Sequence, residues 1–228
     1  MPKVHRRRQN IGYILGFGIG FACVLVLVMP KQERFHMKGP MNTGHKELTC
    51  QSCHKPERGT IRQQLQANAR YLLGLRGTPV IFGHQKVTNS TCLACHKRPN
   101  DRHPVFRFFE PRFAEARKNI QPQFCTTCHL EHSGKRVTIS QTTYCLYCHK
   151  ETKLKNDPIP ISHEDLISAD NWESCLRCHD FHGNHVMETN TLLEEALTSD
   201  QIREYFEGSS SPYSTMKYYK AKLEMPNG

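Results

Sequence analysis

A chain of 228 residues with only 37% hydrophobic residues and a mean hydropathy of −0.62 is too polar to bury a large protein core of its own. Its net charge of +10 raises anionic partners, yet no aromatic-and-basic stacking surface stands out, and nucleic acid is not expected as a ligand. Eleven cysteines signal disulfides, metal or a covalently held group, and their spacing has to choose among these.

Residues 1–10 carry Lys3, Arg6, Arg7 and Arg8, followed by an uncharged run from Ile11 to Met29. As a helix this run is about 28 Å long, enough to cross a hydrocarbon core. The basic residues ahead of it place the N-terminus in the cytoplasm and the rest of the chain outside. No small-x-small cleavage site follows, so an uncleaved single-pass anchor over 11–29 is expected rather than a signal peptide. Gly12, Gly16 and Gly20 allow a neighbouring membrane helix to approach, although glycine is common in such helices anyway. Cys23 has no assigned role.

Beyond the anchor, ten cysteines form five Cys-x-x-Cys pairs, each followed at once by histidine. They are Cys50, Cys53 and His54; Cys92, Cys95 and His96; Cys125, Cys128 and His129; Cys145, Cys148 and His149; and Cys175, Cys178 and His179. In a c-type haem site the two thiols add to the porphyrin vinyl groups and the adjacent histidine supplies the proximal nitrogen to iron. Zinc would combine such pairs two by two, which an odd number does not allow, and would leave every motif histidine unused. Disulfides within pairs leave the histidines unexplained as well. Five covalent c-type haems are therefore expected. Their propionates subtract about ten charges and the five ferric porphyrins return about five, which brings the net charge to about +5 and weakens the case for an anionic partner further.

Six-coordinate haems need five distal ligands, and His36, His45, His84, His103, His132, His163, His182 and His185 lie outside the motifs. His45, His84 and His163 precede a motif closely enough to join the same local haem cluster. His132, three residues after His129, does not reach the far face of its own haem and is expected to ligate a neighbour. His103 lies in the long connection between the second and third motifs. Of His182 and His185 one is expected to ligate, and His36 sits just outside the membrane. Met37, Met41 and Met187 are further ligand types that the surplus of histidine makes unnecessary.

The fold class expected is mostly α-helix and irregular loops wrapped around a chain of covalent haems, with one N-terminal transmembrane helix. Helices are expected over Thr60–Leu75, with Gly77 as the stop, over Pro111–Ile120, and over Thr191–Phe206 with a break at Ser199. The haem domain is expected over 30–189 and a helical C-terminal segment over 190–228, whose basic, aromatic end either packs on the domain or a partner or is a mobile tail.

The anchor, the closely spaced motifs and the surplus histidines resemble membrane-anchored multihaem cytochromes. HPVFRFFEPRF followed by CTTCHLEH is similar to the class III, bis-histidine multihaem group, with the likeness running from about His36 to His185. The resemblance implies periplasmic electron transfer from membrane quinol or a membrane redox complex to a periplasmic or outer-membrane redox protein, at a bacterial inner membrane. In some tetrahaem quinol dehydrogenases a methionine follows the first motif. Here that motif reads CHKPE, so quinol oxidation at the first haem has no residue match. A catalytic reductase with an open haem site is the alternative from another class, disfavoured by the plentiful distal histidines. A haem-bearing scaffold subunit of a respiratory complex is a third.

Overall fold

The computed structural model describes residues 3–28, 37–139, 143–169 and 173–224. His36 and Met29 lie outside them. The chain divides into two compact units, residues 1–40 and 41–228.

The first unit is helix α1, Lys3–Val28, and Arg6–Val26 within it is long and apolar enough to span a membrane. The helix starts earlier than the apolar run, because basic side chains are as good helix formers as the apolar ones that follow.

The second unit is short helices and turns, with two isolated β-bridges among the described residues. Helix α2, Ile61–Leu72, begins at a capping box in which Thr60 and Gln63 satisfy each other's backbone N–H groups. It ends three residues before the expected Leu75, because Gly74 takes up a left-handed conformation (φ 71°) and Gly77 is not needed as the stop. Helix α3 is Asn89–Leu93, and the proline-opened segment is a 3-10 turn over Pro111–Phe113 that continues as α4, Ala114–Asn119. The later motifs lie on α5 (Cys125–Cys128), α6 (Thr143–His149) and α8 (Glu173–Cys178), with α7 (His163–Ser168) between the last two.

The segment expected as a broken helix over 191–206 is a 3-10 turn, Leu193–Glu195, followed by α9, Ser199–Glu207. The cap is Thr198 rather than Ser199, since the Thr198–Gln201 pair closes the capping box one residue earlier. This segment packs on the rest of its unit: Ile202 meets Leu176, the Tyr213 hydroxyl donates to Leu176 O at 2.8 Å, and Arg136 donates to Tyr205 O and Ser209 O. Lys222 N–H reaches Cys95 O, so the final stretch is also laid against the domain through Glu224.

Among the described residues the buried apolar ones are few: Ala116, Leu176, Cys178, Ala196 and Ile202. A hydrophobic centre this small leaves most of the stabilising burial to be supplied by something else.

Candidate haem-binding sites

Four of the motifs hold their histidine by the same local device, and the fourth motif lies within α6. The N–H groups of His54, His96, His129 and His179 donate to the carbonyls of Cys50, Cys92, Cys125 and Cys175, the first cysteine of each motif. One helical turn thus sets two thiols and one imidazole on a common side. None of the eleven cysteines is in a disulfide.

An iron between two imidazoles, with metal–nitrogen bonds of about 2 Å and each ring centre about 1.1 Å beyond its nitrogen, sets the ring centres about 6.2 Å apart. The structure offers that spacing at every motif. His54 faces His132 at 6.3 Å, His96 faces His45 at 5.9 Å, and His129 faces His182 at 6.1 Å. His149 faces His103 at 6.0 Å and His179 faces His163 at 6.2 Å. The residues present therefore fit a haem at each of the five positions.

Second-site hydrogen bonds aim these rings. His45 Nδ1 donates to Glu131 at 2.8 Å, His182 Nδ1 to Asp101 at 3.0 Å, and His163 Nδ1 to Asp157 at 2.9 Å. The backbone does the same for His103, through Phe181 O at 2.7 Å, and for His129, through Arg136 O at 2.6 Å. With Nδ1 committed, Nε2 is the nitrogen left for a metal. Burial lowers the pKa of His54, His96, His103 and His179 and brings His129 down to about 4, so these rings stay neutral, the form that binds iron. His45 is instead raised by its bond to Glu131, whose own carboxyl is lowered by His45 and the Asn42 N–H despite its burial.

Two histidines expected as distal ligands stand elsewhere. His84 lies edge-on to His54 at 4.7 Å, too close for an iron between them, because Pro56 and His84 are bridged and draw the two rings together. His185 is buried against Tyr213 and Tyr205, with Nδ1 on Asp180 at 2.9 Å, which leaves His182 as the one that faces a motif. The remaining pairs are not all local: His45 skips the adjacent first motif and faces the second, and His103 skips the third and faces the fourth.

Successive motifs are neighbours in chain order. Cys53 lies near Cys92, Cys92 lies near Cys125, and Cys145 lies near both Cys128 and Cys175. Asn89 on α3 fixes the second step, accepting from Cys125 N–H and donating to Gln123 O. Sequence reasoning missed the acidic positioning residues Asp101, Glu131 and Asp157. A local signal was present for two of them, since Asp101 accepts from the N–H of His103 two residues on and Asp157 from His163 six residues on, whereas Glu131 orients His45, 86 residues away.

Residues 78–150, about a third of the chain and three of its five motifs, match the family described as Cytochrome c3. No curated protein and no solved structure matches the chain. The family match supports a multihaem c-type cytochrome with a role in electron transfer.

Proposed function

We propose that the chain is a membrane-anchored, pentahaem c-type cytochrome of the bis-histidine kind, with its haem domain in the periplasm. It carries electrons from a quinol or a membrane redox complex to a periplasmic or outer-membrane redox protein. The observation that carries this reading is the set of five histidine pairs at 5.9–6.3 Å, one for each Cys-x-x-Cys-His motif. Each haem would be held by its two motif thiols, by His54, His96, His129, His149 or His179 on one side, and by His132, His45, His182, His103 or His163 on the other. Bound haem supplies one-electron iron chemistry. The protein's part would be to hold the two rings of each pair, with burial keeping His54, His96, His103, His129 and His179 neutral, and a second imidazole opposite every motif histidine argues against the open position that a catalytic reductase requires.

Membrane attachment is supported by the length and apolar character of Arg6–Val26 and by the basic residues before it. The deciding experiment is low-temperature EPR with haem quantification on membranes containing the full-length protein, before and after a quinol analogue. Five low-spin haems that become reduced are expected. Fewer than five haems, or a high-spin ferric signal, overturns the ligation scheme; five low-spin haems that stay oxidised remove quinol as the donor.

A further inference from the structure

Between the first and second motifs the chain makes a closed excursion. At its neck Pro56 and His84 form an antiparallel bridge, Gln85 N–H donates to Lys55 O at 2.7 Å, and Glu57 N–H donates to Gly83 O at 3.3 Å. Both ends of the excursion thus lie beside His54, which His84 touches edge-on.

Within it, α2 turns a polar stripe inward. Gln64 is buried and donates to Gly59 O while accepting from Gly83 N–H, and Asn68 both donates to Val80 O and accepts from Val80 N–H. Ile61, Leu65 and Leu72, together with Leu73, Leu75 and Phe82 beyond the helix, are left facing out. Leu72 is 84% exposed, and Ile61, Leu73 and Leu75 are each 73% exposed. An apolar patch of this kind on a polar domain calls for a cover.

Charge and tether select the cover. From Arg58 to Lys86 the sequence holds five cations, Arg58, Arg62, Arg70, Arg76 and Lys86, and no aspartate or glutamate. The same chain carries a helix able to cross a membrane, ending at Val26, in the sequence just ahead of the first motif. Apolar side chains flanked by arginines suit the boundary between acyl chains and anionic headgroups.

We propose that residues 57–83 are a membrane-interface foot that sits on anionic phospholipid and holds the first haem site at the bilayer surface; this rests on the reading of α1 as a retained anchor. The leucines, Ile61 and Phe82 enter the acyl boundary, and the arginines take headgroup phosphates. Because the neck clasps His54, the seating of the foot sets how closely a lipid-soluble donor approaches the first motif.

The test is acyl-chain photolabelling of the full-length holoprotein in liposomes of phosphatidylglycerol and phosphatidylcholine that contain a phospholipid with a carbene precursor in its tail, read by peptide mass spectrometry. Adducts are expected both on α1 and on residues 61–82. Labelling of 61–82 should fall about tenfold in the Leu72→Asp, Leu73→Asp double variant and should drop in pure phosphatidylcholine. The variant should keep its full haem content, since both leucines are exposed, and this separates loss of seating from loss of folding. Adducts on α1 alone overturn the foot and leave the anchor standing; adducts on neither overturn both. Labelling of 61–82 that is unchanged in the variant or in pure phosphatidylcholine overturns the role of these leucines or of anionic lipid. A protein cross-link in place of lipid adducts at this segment in native membranes overturns lipid as the occupant.

Discussion

His132 faces His54 at 6.3 Å with ring planes 19° apart, while His129, three positions earlier, faces His182. The divergence is made by the backbone: His132 has φ 64°, a left-handed conformation that costs a non-glycine residue about 1–2 kcal/mol and turns the side chain away from its own motif. Glu131, between the two, orients His45 opposite His96. One pentapeptide, CHLEH, therefore serves three sites.

Replacing His132 by alanine is expected to convert one haem of five to a high-spin ferric form, and that haem should be the one on the first motif. His84→Ala should leave all five low-spin, because His84 abuts His54 without standing opposite it. EPR on the two variants distinguishes this pairing from one in which His84 is the ligand.

The five pairs differ in ring orientation, and this has a spectroscopic consequence. His103 and His149 are nearly perpendicular at 83°, whereas His54 with His132 and His129 with His182 lie within 22° of parallel. Crossed imidazole planes leave the iron dxz and dyz orbitals close in energy. The haem of the fourth motif should therefore give a low-spin signal with a large maximal g value, set apart from the rhombic signals of the first and third. His103→Ala should remove that signal alone.

Glu131→Gln and Asp157→Asn each replace the anionic partner of a ligand ring by a neutral one. A less basic imidazole favours ferric iron less, so the potential of the second haem should rise in the first variant and that of the fifth haem in the second. The rise is about 59 mV for each tenfold loss of ferric over ferrous preference. Potentiometric titration followed at the haem absorbance checks this, and an unchanged or lowered potential contradicts the positioning role.

His185→Ala should cost about 2 kcal/mol of stability while leaving the haem spectra intact. Burial opposes charge on Asp180, but the His185 ring and the N–H groups of His185 and Asn184 hold its carboxyl well below the usual range. A lowered carboxylate pKa stabilises the fold fully above the ordinary value of about 3.9, and that stabilisation is lost as the pH falls through the lowered value. The difference in melting temperature between the variant and the natural chain should accordingly be widest near neutral pH and shrink in acid.

Chain synthesised where haem is not attached should not fold. With Ile202 and Leu176 at the centre of a very small apolar cluster, the domain lacks the burial to offset chain entropy. Limited proteolysis of the apo chain should give rapid cleavage throughout 41–224, against slow cleavage of the holoprotein.

The chemistry was legible because it is local: two thiols and an imidazole within five residues have few other readings, and Thr60 with Gln63 announces α2 as plainly. The partners were not, because they are set by chain reversals that leave no periodic mark. His84 precedes the second motif by eight residues, but hydrogen bonds between Glu57 and Gly83 and between Lys55 and Gln85 return it to the first. His132 is turned by a single backbone angle. His182 and His185 are alike in sequence, and only the packing of Tyr205 and Tyr213 from the C-terminal segment takes His185 out of contention.

The pairing also decides how the domain can be divided. A break between the first and second motifs parts His45 from His96, and one between the second and third parts His54 from His132. Breaks farther along part His129 from His182 in either remaining gap. Every cut between motifs leaves an imidazole without its opposite, so the array has no detachable unit, and a shortened or duplicated version of this chain would have to re-pair its histidines rather than simply lose or gain a repeat.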